Sequence, residues 1–173
     1  AKFSRLKAFA NGYPSLVRNI GRDKMTSEEA LVLYLILKTG FRVGSDADTL
    51  AQFKAFGAST LRCSHVAVSG NKVAFDFIGK KGRRMTKLIT NRFLAQIITQ
   101  QCDGSTDQKI FQTTDDKIRR YLHSLPQGAA FSIKDFRTYL ATSIALRQIK
   151  RLPAPGGKRE FIRSRKQVGE AVA

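Results

Sequence analysis

Acidic residues are scarce in this chain. Over 173 residues, 13 Asp and Glu stand against 31 Lys and Arg, which leaves a formal charge of +18. Folding does not require such an excess, because self-repulsion opposes compaction. The cations are spread over several segments rather than one tail, which favours a nucleic acid over an acidic protein or an anionic membrane as partner. Long apolar runs are missing as well: the longest, Ala30 to Leu37, is far too short to span a bilayer. No signal-peptide pattern opens the chain, and a start at Ala1 rather than at methionine reads as an excised or processed fragment. Cysteines number two, Cys63 and Cys102, without metal-ligand spacing. They could pair, but the expectation is reduced core thiols in an intracellular protein with no metal site. There is no pair of catalytic acids, no Ser-His-Asp set and no Walker-type phosphate loop. Gly79-Lys80-Lys81-Gly82 is too short for that loop and joins two strands. His65 stands alone, which favours a structural histidine.

What is present is enough apolar sequence, 42%, for one substantial core. Residues 1–25, with Tyr13-Pro14 and mixed charge, are expected as an irregular lead-in holding a short helix, and 26–173 as the core proper. Thr26 and Glu29 form a capping-box pattern ahead of Ala30–Lys38, a helix apolar on every side and therefore central; Gly40 stops it. Asp46 to Phe56 has helical amphipathic spacing and ends at Gly57. The pattern then switches to alternation over Thr60–Val68, Lys72–Phe77 and Arg83–Ile89, a three-stranded antiparallel meander. Helices resume at 91–102, 115–125, 132–150 and, after a Pro- and Gly-rich loop, 158–173. The fold class is mainly α with one small three-stranded antiparallel sheet.

Two features stand out chemically. In Lys134-Asp135-Phe136-Arg137-Thr138-Tyr139, Ser132 and Asp135 supply a helix cap and Phe131 and Phe136 a hydrophobic staple. Arg137 falls inside the apolar stripe of Ile133, Phe136, Leu140 and Ile144. A guanidinium is costly to desolvate unpaired, so it either meets a carboxylate within the protein or projects toward an external anion. The second feature is the hairpin cluster Lys80, Lys81, Arg83, Arg84 and Lys87, with no acid between Asp76 and Asp103. It reads as a solvated turn or as a basic ribbon reaching phosphates. With Arg42 after the buried helix, an Arg…Lys…Arg order emerges that suits a phosphodiester gaining charge in its transition state.

These segments closely resemble the catalytic domain of type IB DNA topoisomerases, in the bacterial and poxvirus-like branch. The matching stretches are Thr39-Gly40-Phe41-Arg42-Val43-Gly44, Phe56-Gly57-Ala58-Ser59-Thr60-Leu61-Arg62 with His65-Val66, Phe77-Ile78-Gly79-Lys80-Lys81-Gly82 and Lys134 to Tyr139. The resemblance implies a tyrosine nucleophile, a 3′-phosphotyrosyl intermediate, strand rotation and religation, with no metal or nucleotide cofactor. It implies Arg42 and Arg137 as transition-state stabilisers and Lys80 as the acid for the leaving 5′-oxygen. Arg62, Lys81, Arg83, Arg84 and Lys134 are implied as contacts to double-stranded DNA. A monomer, either nucleoid-associated in the cytoplasm or in a virion or viral factory, is the expected setting. None of Tyr13, Tyr34, Tyr121 and Tyr139 matches the family's nucleophile, and Asp46 and Asp48 stand where poxvirus relatives carry DNA-contacting residues. A tyrosine recombinase shares the Arg…Lys…Arg order but usually carries His-x-Leu-Arg at the second arginine. A non-enzymatic basic DNA-binding module is the remaining alternative.

Overall fold

The computed structural model describes residues 2–45, 54–102, 104 and 106–172. Asp46 and Asp48, and all but the last three residues of the helix expected over 46–56, lie outside them; residues 54–57 are not helical. The first element is α1 (Lys2–Asp23), a single 22-residue helix in place of the irregular lead-in expected there. It belongs to the core, because Phe9, Leu16 and Ile20 are fully buried. An interior proline disfavours a helix by roughly 3 kcal/mol, but Pro14 is outweighed by the burial of those three side chains, each worth on the order of 2 kcal/mol.

The central helix is α2 (Glu28–Thr39), buried at Ala30, Leu31, Val32, Leu33, Leu35 and Ile36. Its cap is Ser27, one residue later than expected, whose hydroxyl accepts the Ala30 N–H at 3.2 Å. Thr26 instead donates to the Asp23 carbonyl, closing the end of α1. Gly40 terminates α2 in the left-handed conformation (φ 73°), which glycine adopts without steric cost.

The meander is β1 (Val66–Ser69), β2 (Lys72–Ile78) and β3 (Arg84–Thr90), antiparallel in that order. Strict alternation on β2 buries Val73, Phe75 and Phe77 on one face. The expected first strand is shorter, since Ala58–Thr60 and Cys63–His65 are 3₁₀ turns. Then follow α3 (Arg92–Gln101), α4 (Asp115–Ser124), α5 (Ile133–Arg151) and α6 (Lys158–Val172).

Cys63 and Cys102 form a disulfide, contrary to the reduced thiols expected. Pairing of 61–64 with 106–110 brings them together: Cys63 N–H donates to the Gln108 carbonyl (3.0 Å), Ser64 N–H to Thr106 (2.8 Å) and Ile110 N–H to Leu61 (3.0 Å). Cys102 directly ends α3, so this strip holds its Cα 5.6 Å from that of Cys63. Among the described residues no helix is long and apolar enough to cross a membrane.

Candidate active site

Arg42 sits on the segment leaving α2, whose path is determined by packing on β2 and by backbone bonds to residues 57–60. Phe41 is buried edge-on against Phe75 and Phe77 of β2, with ring centroids 5.2 and 4.9 Å apart. The Arg42 carbonyl accepts the Ala58 N–H at 2.8 Å, and the Val43 carbonyl accepts both the Ser59 N–H (2.7 Å) and its hydroxyl (2.8 Å). Gly57 is packed so closely that a Cβ there would lie 2.5 Å from the Gly44 nitrogen and 2.7 Å from the Arg42 oxygen. Thr60 completes the turn, its hydroxyl accepting the Gly57 N–H at 2.9 Å. Ser59 and Thr60 are therefore positioning residues not singled out from sequence; their signal lay in the Phe56–Leu61 motif. The Arg42 side chain itself is exposed.

Arg137 approaches the same segment from α5. Its Nε donates to the Gly40 carbonyl at 2.6 Å, and among the described residues no carboxylate pairs with it. Burial pushes its pKa down from the usual arginine value, and the charge of Arg42 adds to the effect. Two guanidiniums thus lie within electrostatic reach of one another, with one backbone carbonyl as the hydrogen-bond partner of the buried one. Of the two readings open for Arg137, the internal carboxylate pair is absent among the described residues.

The hairpin carrying Lys80 is tied to the same wall through backbone. Phe56 N–H donates to the Ile78 carbonyl at 2.8 Å, one residue before the Gly57 turn that holds Arg42. Gly79 N–H donates to Arg83 O at 2.7 Å, and Lys81 turns the chain in the left-handed conformation (φ 65°). Lys80, Lys81 and Arg83 are exposed, and no contact joins Lys80 to either arginine. Arg84 differs from the free cation expected. It is bidentate to Asp76 on the outer sheet face, at 2.8 and 2.5 Å, which holds the Asp76 carboxyl below the ordinary range.

Arg62 is engaged too, donating to the Asp107 carbonyl at 2.6 Å and to its carboxylate. His65 bears out a structural role: its Nδ1 accepts the Arg62 N–H at 3.1 Å and its ring lies 4.3 Å from Phe56. Burial, with Arg62 nearby, keeps its pKa below the ordinary histidine value. Lys134 is exposed on the first turn of α5.

The tyrosines have partners of their own. Tyr139 stacks on Tyr13 of α1 at 4.3 Å, about 200° around α5 from Arg137 by helical geometry. Tyr121 donates to Asp23 at 2.8 Å, and Tyr34 accepts from Asn91 at 3.0 Å.

Among the described residues, a mainly helical core thus carries two arginines without carboxylate partners on one wall, to which a lysine-bearing hairpin is tied through backbone. The family model described as the catalytic core of eukaryotic DNA topoisomerase I matches residues 1–173, and the chain belongs to that family. It is 30% identical over 159 residues to the DNA topoisomerase 1B of Acanthamoeba polyphaga mimivirus, an alignment covering 80% of this chain. The chain spans 46% of that relative's length.

Proposed function

We propose that this chain is the catalytic core of a type IB DNA topoisomerase, acting on duplex DNA by transient cleavage of one strand. A tyrosine oxygen attacks the phosphorus, the bond from phosphorus to the 5′-oxygen breaks, and a 3′-phosphotyrosyl ester keeps the bond energy for religation. For that reason the reading requires no nucleotide. Arg42 and Arg137 bind the non-bridging oxygens as their charge grows, and Lys80 gives its proton to the departing 5′-oxygen. Exposed Lys81, Arg83 and Lys134 hold flanking phosphates; Arg62 and Arg84 do so only by exchanging their present carboxylate partners for DNA.

The observation that carries this reading is Arg137: half-buried and bonded to the Gly40 carbonyl, two residues before Arg42 in the chain. A half-buried guanidinium without a counter-charge opposes folding unless an anion completes the site. By the same reading the 173-residue chain binds DNA without breaking it, since none of its four tyrosines matches the family's nucleophile.

The test uses a protein that carries the family's attacking tyrosine. Arg42→Ala, Lys80→Ala and Arg137→Ala should each slow cleavage by on the order of 100-fold or more while changing DNA affinity far less. Replacing the leaving 5′-oxygen by sulfur removes the need for a proton, so it should rescue Lys80→Ala and not Arg42→Ala. Equal rescue of both, or of neither, removes Lys80 from the acid role.

A further inference from the structure

The α5–α6 hairpin carries its charge in an unusual place. Beyond Arg137, residues 138–146 of α5 hold no charged side chain, and residues 167–172 of α6 hold only Glu170. Between them lie Arg147, Lys150, Arg151, Lys158, Arg159, Arg163, Arg165 and Lys166, all exposed, against Glu160 alone. The hairpin therefore has a neutral shaft and a cationic tip. Glu160 is committed to the Gly156 N–H at 2.6 Å, and Lys166 meets Glu170 at 3.8 Å. Among the described residues, none of the other seven cations meets a carboxylate.

This clustering works against the fold. Lys158 and Arg159 occupy the first turn of α6, where the helix dipole disfavours positive charge. The six residues 152–157 join the two helices, and α6 packs on α5 through the face of Ser164, Val168 and Val172. At 100° per residue, Arg159, Arg163 and Lys166 fall on the opposite face, spread over about 10 Å. An external polyanion would offset both the dipole and the mutual repulsion.

We propose that the tip of the α5–α6 hairpin is a second phosphate-binding surface for the duplex that Arg137 engages, resting on the DNA-handling role proposed above. Arg137 and Arg151 are 14 residues apart on one helix, about 21 Å. At roughly 3.4 Å per base pair, a duplex that engages Arg137 and runs along the outer face of α6 meets Arg159 about six base pairs away and Lys166, further back along the hairpin, about three. Arg159, Arg163 and Lys166 meet the backbone over that span, so the contact carries no sequence preference.

The test compares the 173-residue chain with its Arg159→Gln/Arg163→Gln/Lys166→Gln variant on duplexes of increasing length at several salt concentrations. All three residues are exposed, and circular dichroism and melting verify that the variant is folded. Each phosphate contact contributes about 0.9 to the slope of log affinity against log salt, so the variant's slope should be shallower by about 2.7. Wild-type affinity should rise with duplex length to a plateau roughly six base pairs longer than the variant's. The change Lys81→Gln/Arg83→Gln should flatten the salt slope and leave the plateau length unchanged. An unchanged slope and plateau in the tip variant overturn the proposal while leaving the catalytic reading intact. Loss of binding to phosphatidylserine-containing vesicles with DNA binding unaffected would also overturn it, making the tip, with Phe161 and Ile162, a membrane contact. Absence of any DNA binding by the wild-type chain overturns both readings.

Discussion

The two halves of α5 differ in how they are held. In the first half, Phe136 is fully buried against Phe9 of α1, with ring centroids 4.9 Å apart, and Phe131, just ahead of the helix, meets the same ring at 5.0 Å. Asp135 binds Arg5 of α1 through two bonds of 3.0 and 2.7 Å, and Arg137 binds Gly40. In the second half, Leu146 and Ile149 remain more than half exposed, and α6 is the neighbouring helix. A side chain that must meet a particular phosphate oxygen needs a rigid, well-packed platform. A charge that only tracks a backbone needs reach.

The largest expected contrast is in packing. Phe136→Ala should destabilise the fold by about 3–5 kcal/mol in urea denaturation, because the cavity opens between α1 and α5. A loss under about 1 kcal/mol would place the first half of α5 on the same footing as the second.

Next in size is the disulfide, which closes a loop holding the whole sheet and the Lys80 hairpin between Cys63 and Cys102. Cys63→Ser/Cys102→Ser should cost about 2–4 kcal/mol by the loop-entropy argument. Hydrogen exchange should locate the loosening in β1–β3 and residues 106–110. Equal loosening of α6 would show that the second half of α5 is coupled to the sheet.

A smaller, pH-dependent effect tests the link between α1 and α5. Burial by itself would raise the Asp135 pKa, but hydrogen bonds from Arg5 and from the Ser132 N–H and hydroxyl outweigh it and hold the pKa below the ordinary value. The resulting stability is complete above the unfolded value near 3.9 and is lost as pH falls through the lower folded value. Melting temperature should therefore fall more steeply below about pH 4 in the wild type than in Asp135→Asn. Parallel curves would mean that the pair contributes nothing.

The smallest effect belongs to the second half of α5. Leu146→Gln keeps helix propensity and removes a half-exposed side chain, so stability should change by no more than about 0.5 kcal/mol. A loss above about 2 kcal/mol would show that the hairpin is packed as firmly as the helix start.

Much of this was readable from local pattern. The meander appeared because Val73, Phe75 and Phe77 alternate with exposed residues, and α2 because its neighbours are apolar on all sides. The cap of α2 was misplaced by one residue, since Thr26 and Ser27 are both competent and only the end of α1, drawing Thr26 onto the Asp23 carbonyl, decides between them. Phe131 and Phe136, expected to staple the start of α5, each pack on Phe9 of a helix more than 120 residues earlier. No spacing rule reaches that far.

From the sequence alone came the elements whose stabilising contacts lie within about four residues or across a tight turn, together with the net charge and the Arg42, Lys80 and Arg137 motifs. Those depend on helical period, strand alternation and capping chemistry, all local in the chain. The tertiary structure alone decided that α1 belongs to the core, that Cys63 meets Cys102, that Asp76 and Asp107 occupy Arg84 and Arg62, and that Arg137 binds Gly40 rather than a carboxylate. Each of these depends on surfaces brought together by packing, where burial and geometry select one partner among many chemically equivalent ones.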